Sequence, residues 1–185
     1  IHDYMKKIVI TGGIGYIGTE LCKIYSGYSW NDNITIIDNR FISERVNQLR
    51  NWNMNYVHGD ILDKDLIKKY CHDADIIHHL AGITDVPRVK SQSNEEHDKK
   101  IKRVAEEGTQ NILDVMSDKC KIIMPSTHVV YEGIEKVKND IKEDEKTSPV
   151  LSYGTSKDIN EKQLKASGKN YVILRLGSVY GYSTD

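Results

Sequence analysis

One stretch of the sequence, KIVITGGIGYIG at residues 7–18, constrains the fold more than any other. A short β-branched run leads directly into four glycines within seven positions, and an apolar pattern of helical period follows. A turn of this kind allows positive φ, leaves bare backbone that a phosphate can approach, and brings helix and strand close together. Gly15 and Gly18 are common to two possible spacings, which begin at Gly12 or at Gly13. Either spacing predicts a pyrophosphate held by unpaired N–H groups at the N-terminus of the first helix.

The rest of the chain alternates short strands with longer helices. Several strands are apolar at consecutive positions, which is typical of a parallel sheet covered on both faces. This alternation predicts an α/β fold, a doubly wound parallel sheet (Rossmann fold) with helices on both faces, as one domain over residues 1–185. The predicted strands span residues 7–11, 33–38, 54–59, 74–81, 120–126 and 170–176, and the predicted helices about 15–27, 42–50, 62–70, 93–117 and 153–167.

Two details of this layout carry further expectations. Gly108 interrupts the pattern of the fourth helix, and we expect close packing on the sheet to be the reason. Residues 131–148 lack clear periodicity and mix acidic with basic side chains. They predict an exposed loop between strand and helix, of the kind that faces a substrate.

A single carboxylate indicates which dinucleotide fits the glycine turn. Asp38 ends the second predicted strand, 20 residues after Gly18. A carboxylate there accepts hydrogen bonds from the hydroxyls of the adenine ribose and repels a 2′-phosphate. The sequence therefore predicts NAD as the cofactor in preference to NADP. Arg40, two residues further on, weakens that preference slightly.

Composition narrows the classes of partner. The formal net charge is −1, so we expect neither a nucleic acid nor an anionic membrane as a partner. No apolar stretch approaches the ~20 residues that span a bilayer and no secretory signal pattern is present, so we expect a cytoplasmic protein. Cys22, Cys71 and Cys120 are far apart and odd in number, which indicates reduced core thiols and no zinc site. His78 and His79 would point to opposite faces of a strand, so no metal ligands are expected there.

A phenol and an ammonium four residues apart, Tyr153 and Lys157 in YGTSK, form the candidate proton-transfer pair. On a helix the two lie one turn apart on the same face, so we expect the cation to lower the pKa of the phenol. At ~6 Å and an effective dielectric of ~20 the attraction is roughly 3 kcal/mol, or about two pKa units. The pattern alone is weak evidence, because the chain has 11 tyrosines and about one such pair is expected by chance.

The order and spacing of several motifs together resemble the extended short-chain dehydrogenase/reductase family. The resemblance is closest to its nucleotide-sugar epimerase branch, which includes the UDP-glucose/galactose 4-epimerases, and it covers nearly the whole chain. The motifs are TGGIGYIG at 11–18, DN at 38–39, GDI at 59–61, HLAG at 79–82, VPR at 86–88, GT at 108–109, PSTHVVY at 125–131, YGTSK at 153–157 and RLGSVYG at 175–181.

The resemblance implies a catalytic set and a cofactor site. Thr127 would position a sugar hydroxyl, Tyr153 would take its proton, and Lys157 would hold the nicotinamide ribose and favour the phenolate. Asp60 and Ile61 would flank the adenine, and residues 80–82 would line the ribose and pyrophosphate of the cofactor. The expected NAD-binding residues are Gly12, Gly15, Tyr16, Ile17, Gly18, Asp38, Asn39, Asp60, Ile61, Leu80, Ala81, Gly82, Tyr153 and Lys157, and no metal ligand is expected.

The two residues after Thr127 bear on the reaction that the resemblance implies. In the family an Asp-Glu pair follows the Thr in 4,6-dehydratases, and a Glu usually lies two positions on in UDP-glucuronate decarboxylases. Here the residues are His128 and Val129. Valine cannot transfer a proton, which disfavours both chemistries, and we expect His128 to pack or hydrogen-bond beside the site.

What remains is NAD-dependent epimerisation of a nucleotide sugar, at C4 of a UDP-hexose, by transient hydride abstraction and return. A dehydrogenase or ketoreductase of the same family that releases NADH is an alternative, and a non-catalytic NAD-sensing module is another. Both leave the expected cofactor site unchanged.

Departures from the family pattern concern the substrate. The family commonly carries Asn where this chain has Ala105, and an Asn often used on the nucleotide-sugar diphosphate is here Ser178. Members of the family are longer, so the C-terminal portion that binds the nucleotide sugar is expected to be largely missing from this sequence. A protein that ended at Asp185 would be expected to bind NAD with little turnover, because the sugar would not be oriented. A homodimer through the long helices is usual in such families.

Overall fold

The computed structural model describes residues 5–28, 33–84 and 94–182. The described chain forms one six-stranded sheet in which all paired neighbours are parallel, in the order β3-β2-β1-β4-β5-β6. The strands are β1 (Lys7–Thr11), β2 (Asn33–Asp38), β3 (Asn55–His58), β4 (Ile76–His79), β5 (Lys121–Thr127) and β6 (Asn170–Leu176).

Five α-helices lie in the described residues and connect the strands. They are α1 (Tyr16–Gly27), α2 (Ser43–Asn51), α3 (Lys64–Cys71), α4 (Glu95–Val115) and α5 (Ser152–Ala166), and a short 3₁₀ helix (His128–Tyr131) follows β5. The doubly wound parallel sheet predicted from the alternation is confirmed, and the ends of each predicted element agree with the structure to within two residues. The VPR motif at 86–88 lies outside the described residues.

Apolar residues that alternate along β1 build a core on each face of the sheet. Ile8 and Ile10 point to the face covered by α1 and α2, where they join Cys22 and Leu49. The opposite face carries Val9 and is covered by α3, α4 and α5, through Ile67, Ile112 and Leu164. Successive side chains of a strand point to opposite faces, so one apolar run supplies both cores.

The three cysteines belong to these cores. Cys22, Cys71 and Cys120 are buried and unpaired, and burial raises their pKa values to about 12, 12 and 11 respectively. They are inert thiols that pack as small apolar side chains, as the sequence predicted.

Candidate active site

The glycine turn between β1 and α1 is packed too tightly for side chains. Gly12 has a φ of +71°, and a Cβ there would lie 2.7 Å from the backbone nitrogen of Ala81. A Cβ at Gly18 would lie 2.6 Å from the carbonyl oxygen of Gly12. Gly13 is packed as closely, since a Cβ there would lie 2.5 Å from Cγ2 of Ile36, so both spacings are compatible with the structure.

No side chain caps the N-terminus of α1, so none accepts a hydrogen bond from the backbone N–H groups of its first turn. Gly15 is the residue before the helix and makes no side-chain cap. Tyr16 and Ile17 begin the helix, with Ile17 exposed and the Tyr16 hydroxyl donating to the Gly181 carbonyl at 2.9 Å. The Tyr16 ring is thus tied to the segment after β6. Bare N–H groups at the positive end of a helix are suited to an anion.

The carboxylate of Asp38 lies beside this turn at the end of β2. It is buried, its Oδ2 accepts from the backbone nitrogen of Ile14 at 3.3 Å, and its Oδ1 accepts from the backbone nitrogen of Arg40 at 3.0 Å. The adjoining Asn39 carbonyl accepts from Nε2 of His58 at 3.0 Å. Two backbone N–H groups therefore fix the orientation of the carboxylate without the help of a ligand.

The two residues expected to flank an adenine differ in exposure. Asp60 is exposed, and its Oδ1 accepts from the backbone nitrogen of Leu62 at 2.9 Å. Ile61 is buried in the core, and a Cβ at Gly108 would overlap its side chain. One expectation is corrected here: Gly108 packs against Ile61 and not against the sheet. The Ile61 side chain belongs to the core, so the predicted contact with an adenine would be made by its backbone.

The end of β4 is held by a buried network that sequence reasoning missed. The backbone nitrogen of Ala81 donates to Oγ1 of Thr11 at 3.2 Å, and that hydroxyl lies 2.8 Å from Nδ1 of His79. On its other side, Nε2 of His79 lies 2.9 Å from Oγ1 of Thr109 on α4. The network anchors residues 80–82, a segment expected to line the cofactor, to β1 and to the long helix. We name Thr11, His79 and Thr109 the β4 network.

Both ring nitrogens of His79 have a hydroxyl partner, Thr11 on Nδ1 and Thr109 on Nε2. A hydroxyl can donate or accept, so either neutral tautomer satisfies the network. Burial, together with a smaller effect of the nearby Lys157 charge, lowers the pKa of His79 to about 3. His79 is therefore neutral at neutral pH and is a structural residue, although its sequence position suggested only that it pointed away from His78.

Tyr153 and Lys157 lie one turn apart on α5, as predicted. The Lys157 ammonium is 5.8 Å from the centroid of the Tyr153 ring. The same nitrogen lies 4.0 Å from where a Cβ of Gly82 would be, which brings α5 to the end of β4. The helix thus presents the candidate proton-transfer pair to the segment expected to hold the cofactor.

The pKa values of this pair differ from the sequence-based expectation. Burial raises the pKa of Tyr153 above its usual value, so the expectation that Lys157 brings a net lowering is wrong for this structure. The reason is that desolvation favours the neutral phenol. Burial also lowers the pKa of Lys157 to about 8.

Thr127 is the residue before the 3₁₀ helix that follows β5. Its buried Oγ1 accepts from the backbone nitrogen of Val129 at 3.2 Å, which caps that helix. A Cβ at Gly154 would lie 3.1 Å from the carbonyl oxygen of Val129, so the first turn of α5 packs directly on this helix. His128 is exposed, with Nδ1 3.3 Å from the Leu176 carbonyl oxygen, which agrees with the expectation that it hydrogen-bonds beside the site.

A buried ion pair supports the same end of β5 and β6. Both oxygens of Glu161 bind Arg175, at 2.9 Å from Nε and 2.6 Å from Nη2, and Oε1 also accepts from Oγ of Ser126 at 2.7 Å. The carboxylate is 1% exposed and the guanidinium side chain 12%. Arg175 also donates to Tyr131 and, at 2.8 Å, to the Glu143 carbonyl, which ties down the exposed loop at 131–148. We name Ser126, Glu161 and Arg175 the β5 network.

This ion pair also escaped the sequence-based reasoning, although a signal for it was present. Glu161 follows Tyr153 and Lys157 at the next helical turn, so the three residues form one stripe along α5. Arg175 opens the RLGSVYG motif at the end of β6. The stripe could have suggested a buried acidic group, but the partner lies on a strand and no spacing rule points to it.

The described part of the chain contains neither a metal-binding cluster nor a membrane-spanning helix. Among residues 5–28, 33–84 and 94–182, no group of three or more His, Cys, Asp or Glu side chains is arranged to hold a metal ion. In the same part of the chain, no helix combines the length and the apolar character needed to cross a membrane.

The chain matches a family model and characterised relatives over most of its length. The model of the "NAD dependent epimerase/dehydratase family" matches residues 8–185. The chain is 31% identical over 208 residues to a CDP-paratose 2-epimerase of Salmonella typhi, which covers 95% of this chain and 58% of that protein. It is 30% identical over 169 residues to a UDP-glucose 4-epimerase of Yersinia enterocolitica, which covers 86% of this chain and 48% of that protein.

A solved epimerase structure has a similar fold. A UDP-glucose 4-epimerase from Brucella ovis in complex with NAD aligns with a TM-score of 0.72 at 28% identity, over 91% of this chain and 50% of that chain. This chain thus spans about half the length of the relatives that it matches.

Proposed function

The chain belongs to the NAD dependent epimerase/dehydratase family, and on that premise we propose that the natural protein uses NAD to epimerise a nucleotide sugar, at C4 of a UDP-hexose. One observation carries the proposal. Tyr153 and Lys157 share a face of α5, and the ammonium lies 5.8 Å from the centroid of the Tyr153 ring and 4.0 Å from where a Cβ of Gly82, just after β4, would be. This is the point where a hydride acceptor and a proton acceptor must meet.

The glycine turn and its neighbours fit NAD. The uncapped first turn of α1 offers N–H donors for a pyrophosphate. The buried Asp38 carboxylate, held by two backbone nitrogens, has lone pairs left for the adenine ribose hydroxyls. These groups bind and orient the cofactor and do not take part in the chemistry.

The proton chemistry belongs to Tyr153, Lys157 and Thr127. When bound, NAD would supply a hydride acceptor that can return the hydride to the opposite face of the substrate carbon, and a positive charge near the phenol. Tyr153 takes the proton of the C4 hydroxyl and later gives it back, while Thr127 positions that hydroxyl. Lys157 holds the ribose and opposes the rise in the Tyr153 pKa that burial causes. With its own pKa near 8, the ammonium is charged at neutral pH.

The surroundings of Thr127 favour epimerisation over dehydration or decarboxylation. Val129 has no ionisable group, and its backbone nitrogen donates to Oγ1 of Thr127, which caps the short helix. His128 is exposed and directs Nδ1 to the Leu176 carbonyl. Neither residue supplies a second carboxylic acid beside the candidate base, and a dehydratase or a decarboxylase of the pattern described above uses one.

The test is an assay of the natural full-length protein with a panel of UDP- and GDP-sugars. We expect interconversion of a UDP-hexose and its C4 epimer without net change in the absorbance of NADH. Y153F should lower turnover by about 10²- to 10⁴-fold, the contribution of one acid–base group, and leave NAD affinity unchanged. Y171F, at an exposed position of β6, is the matched control and should keep full activity.

Two results would redirect the assignment. Stoichiometric accumulation of NADH with one substrate identifies a net dehydrogenase. Full activity of Y153F removes the proton relay, and with it the proposal that this tyrosine is the base.

A further inference from the structure

Ser126 joins the strand that carries one candidate catalytic residue to the helix that carries the other two. It directly precedes Thr127 at the end of β5, and its Oγ donates to Oε1 of Glu161 on α5 at 2.7 Å. Glu161 lies one helical turn after Lys157. Within the described residues, this is the only side-chain hydrogen bond between β5 and α5.

The acceptor of this hydrogen bond is itself held by an ion pair. Both carboxylate oxygens of Glu161 bind Arg175 of β6, and the carboxylate is 1% exposed. Ser126 and Arg175 are direct neighbours on the paired strands β5 and β6. Ser126 is buried as well, so the hydrogen bond lies out of reach of bulk water. A buried hydroxyl on a fixed acceptor therefore holds β5 and α5 in one relative position.

The position of Thr127 relative to Tyr153 depends on how α5 lies against the end of β5. The first turn of α5 also packs on the 3₁₀ helix, where a Cβ of Gly154 would lie 3.1 Å from the Val129 carbonyl oxygen. Such packing limits how closely the two elements approach, whereas a hydrogen bond is directional and also opposes sliding of one along the other. The proposed reaction needs both hydroxyls at the same substrate group, and an error of about 1 Å in such an arrangement can lower the rate by about 100-fold.

We propose that Ser126 is a positioning residue for the proton transfer. Through Glu161 it sets the register of α5 against the end of β5, so that Tyr153 and Thr127 reach one substrate hydroxyl together. The inference rests on the proposed function. The Ser126 hydroxyl is directed into the protein at Glu161, so it takes no part in binding or in the chemistry.

The variant S126A tests this role in the natural full-length protein. Alanine removes the hydrogen bond to α5, while Glu161 keeps both of its contacts with Arg175, so no buried charge loses its partner and the variant should fold. With the UDP-hexose that the wild type turns over, we expect kcat to fall by about 10-fold. This kcat is expressed per NAD-binding site, counted by calorimetry. KM and the dissociation constant of NAD should change by less than about twofold, because the lost contact is to neither ligand.

A double-mutant cycle separates positioning from a purely structural role. In the Y153F background the proton relay is already lost, so S126A should lower the residual kcat by less than about twofold. A residue that only stabilised the fold would have equal effects in both backgrounds. T35V is the matched control, because it removes a buried hydroxyl from β2, on another strand of the sheet. It should leave kcat unchanged in both backgrounds.

The possible results separate this role from the proposed function. An unchanged kcat in S126A, when Y153F has lost its activity, overturns the role of Ser126 and leaves the proposed function standing. Equal losses from S126A in both backgrounds also overturn it. Full activity of Y153F, or no turnover of any UDP- or GDP-sugar by the wild type, refutes the proposed function, and the role of Ser126 fails with it.

Discussion

The two halves of the candidate site rest on buried polar groups of different kinds. Under the cofactor half, the β4 network of Thr11, His79 and Thr109 is neutral, and each of its hydrogen bonds joins uncharged groups. Under the reaction half, the β5 network of Ser126, Glu161 and Arg175 contains an ion pair. Both networks tie a helix to strand ends at the same edge of the sheet. One positions its helix with neutral hydrogen bonds and the other with an ion pair.

The difference has physical consequences. A neutral network costs little desolvation but is damaged when its titratable member gains a proton. An ion pair tolerates a wide pH range but leaves an uncompensated buried charge when one partner is removed. The cofactor half should therefore be sensitive to acid and the reaction half to substitution.

The largest expected effect is on the charged half. R175M removes the cation and leaves the Glu161 carboxylate, which is 1% exposed, without its bidentate partner. We expect the free energy of unfolding to fall by about 3–5 kcal/mol, as measured by urea denaturation at pH 7. A loss near zero would mean that Lys165, 3.4 Å from Oε2 of Glu161, compensates for the missing cation.

Two further variants complete this experiment. R50M changes an exposed arginine and should stay within about 0.5 kcal/mol of the wild type. The double variant E161L/R175M should recover much of the loss, because it removes the orphaned charge along with its partner. If the double variant is no better than R175M alone, packing and not charge explains the effect.

Lowering the pH tests the cofactor half of the site, which rests on the neutral β4 network. His79 has its pKa lowered from 6.5 to about 3, so between these values the unfolded chain binds a proton that the native chain does not. Stability must therefore fall as pH drops from about 6.5 to 3, by about 1.4 kcal/mol per pH unit from this residue. H79Q, which does not titrate in this range, should be less stable at pH 7 but should lose this part of the slope. H72Q, changed at an exposed position, should keep the wild-type slope.

The parts of the fold and of the candidate site that could be predicted from the sequence are those whose residues lie close together along the chain. The glycine turn and the helical pair Tyr153 and Lys157 are local patterns, and the strand–helix alternation follows from periodicity. Asp38 was found because the end of β2 stands at a fixed distance from the turn. The fold was therefore predictable almost to the residue.

Long-range partners and burial were not predictable. The β4 network joins positions 11, 79 and 109, and the β5 network joins 126, 161 and 175, and no spacing rule connects such positions. The pKa shift of Tyr153 was predicted in the wrong direction. Proximity to Lys157 is visible in a helical pattern, whereas desolvation depends on what covers the residue in the fold. The expectation for Gly108 was wrong for the same reason, since its contact with Ile61 depends on the path of α4.

Lys157 joins the two halves and gives the smallest predicted effect. Its ammonium lies beside Gly82 on the cofactor half, lowers the pKa of His79, and stands one helical turn before Glu161. Burial lowers its own pKa to about 8, so below pH 8 the native chain carries a charge that is poorly solvated. Between pH 8 and 10.5 the native chain releases this proton while the unfolded chain retains it, and stability should rise with pH in that window.

K157M removes that cost and is expected to stabilise the protein by about 1–3 kcal/mol at pH 7, while it weakens NAD binding under the proposed role. The gain should shrink above pH 8 and vanish near pH 10.5, which thermal unfolding at a series of pH values would reveal. K162M, changed at an exposed lysine on the same helix that pairs with Asp158, should show no stabilisation. A K157M protein less stable than the wild type at pH 7 would mean that the ammonium is well solvated or paired. The lysine would then be part of the scaffold and not a strained functional group.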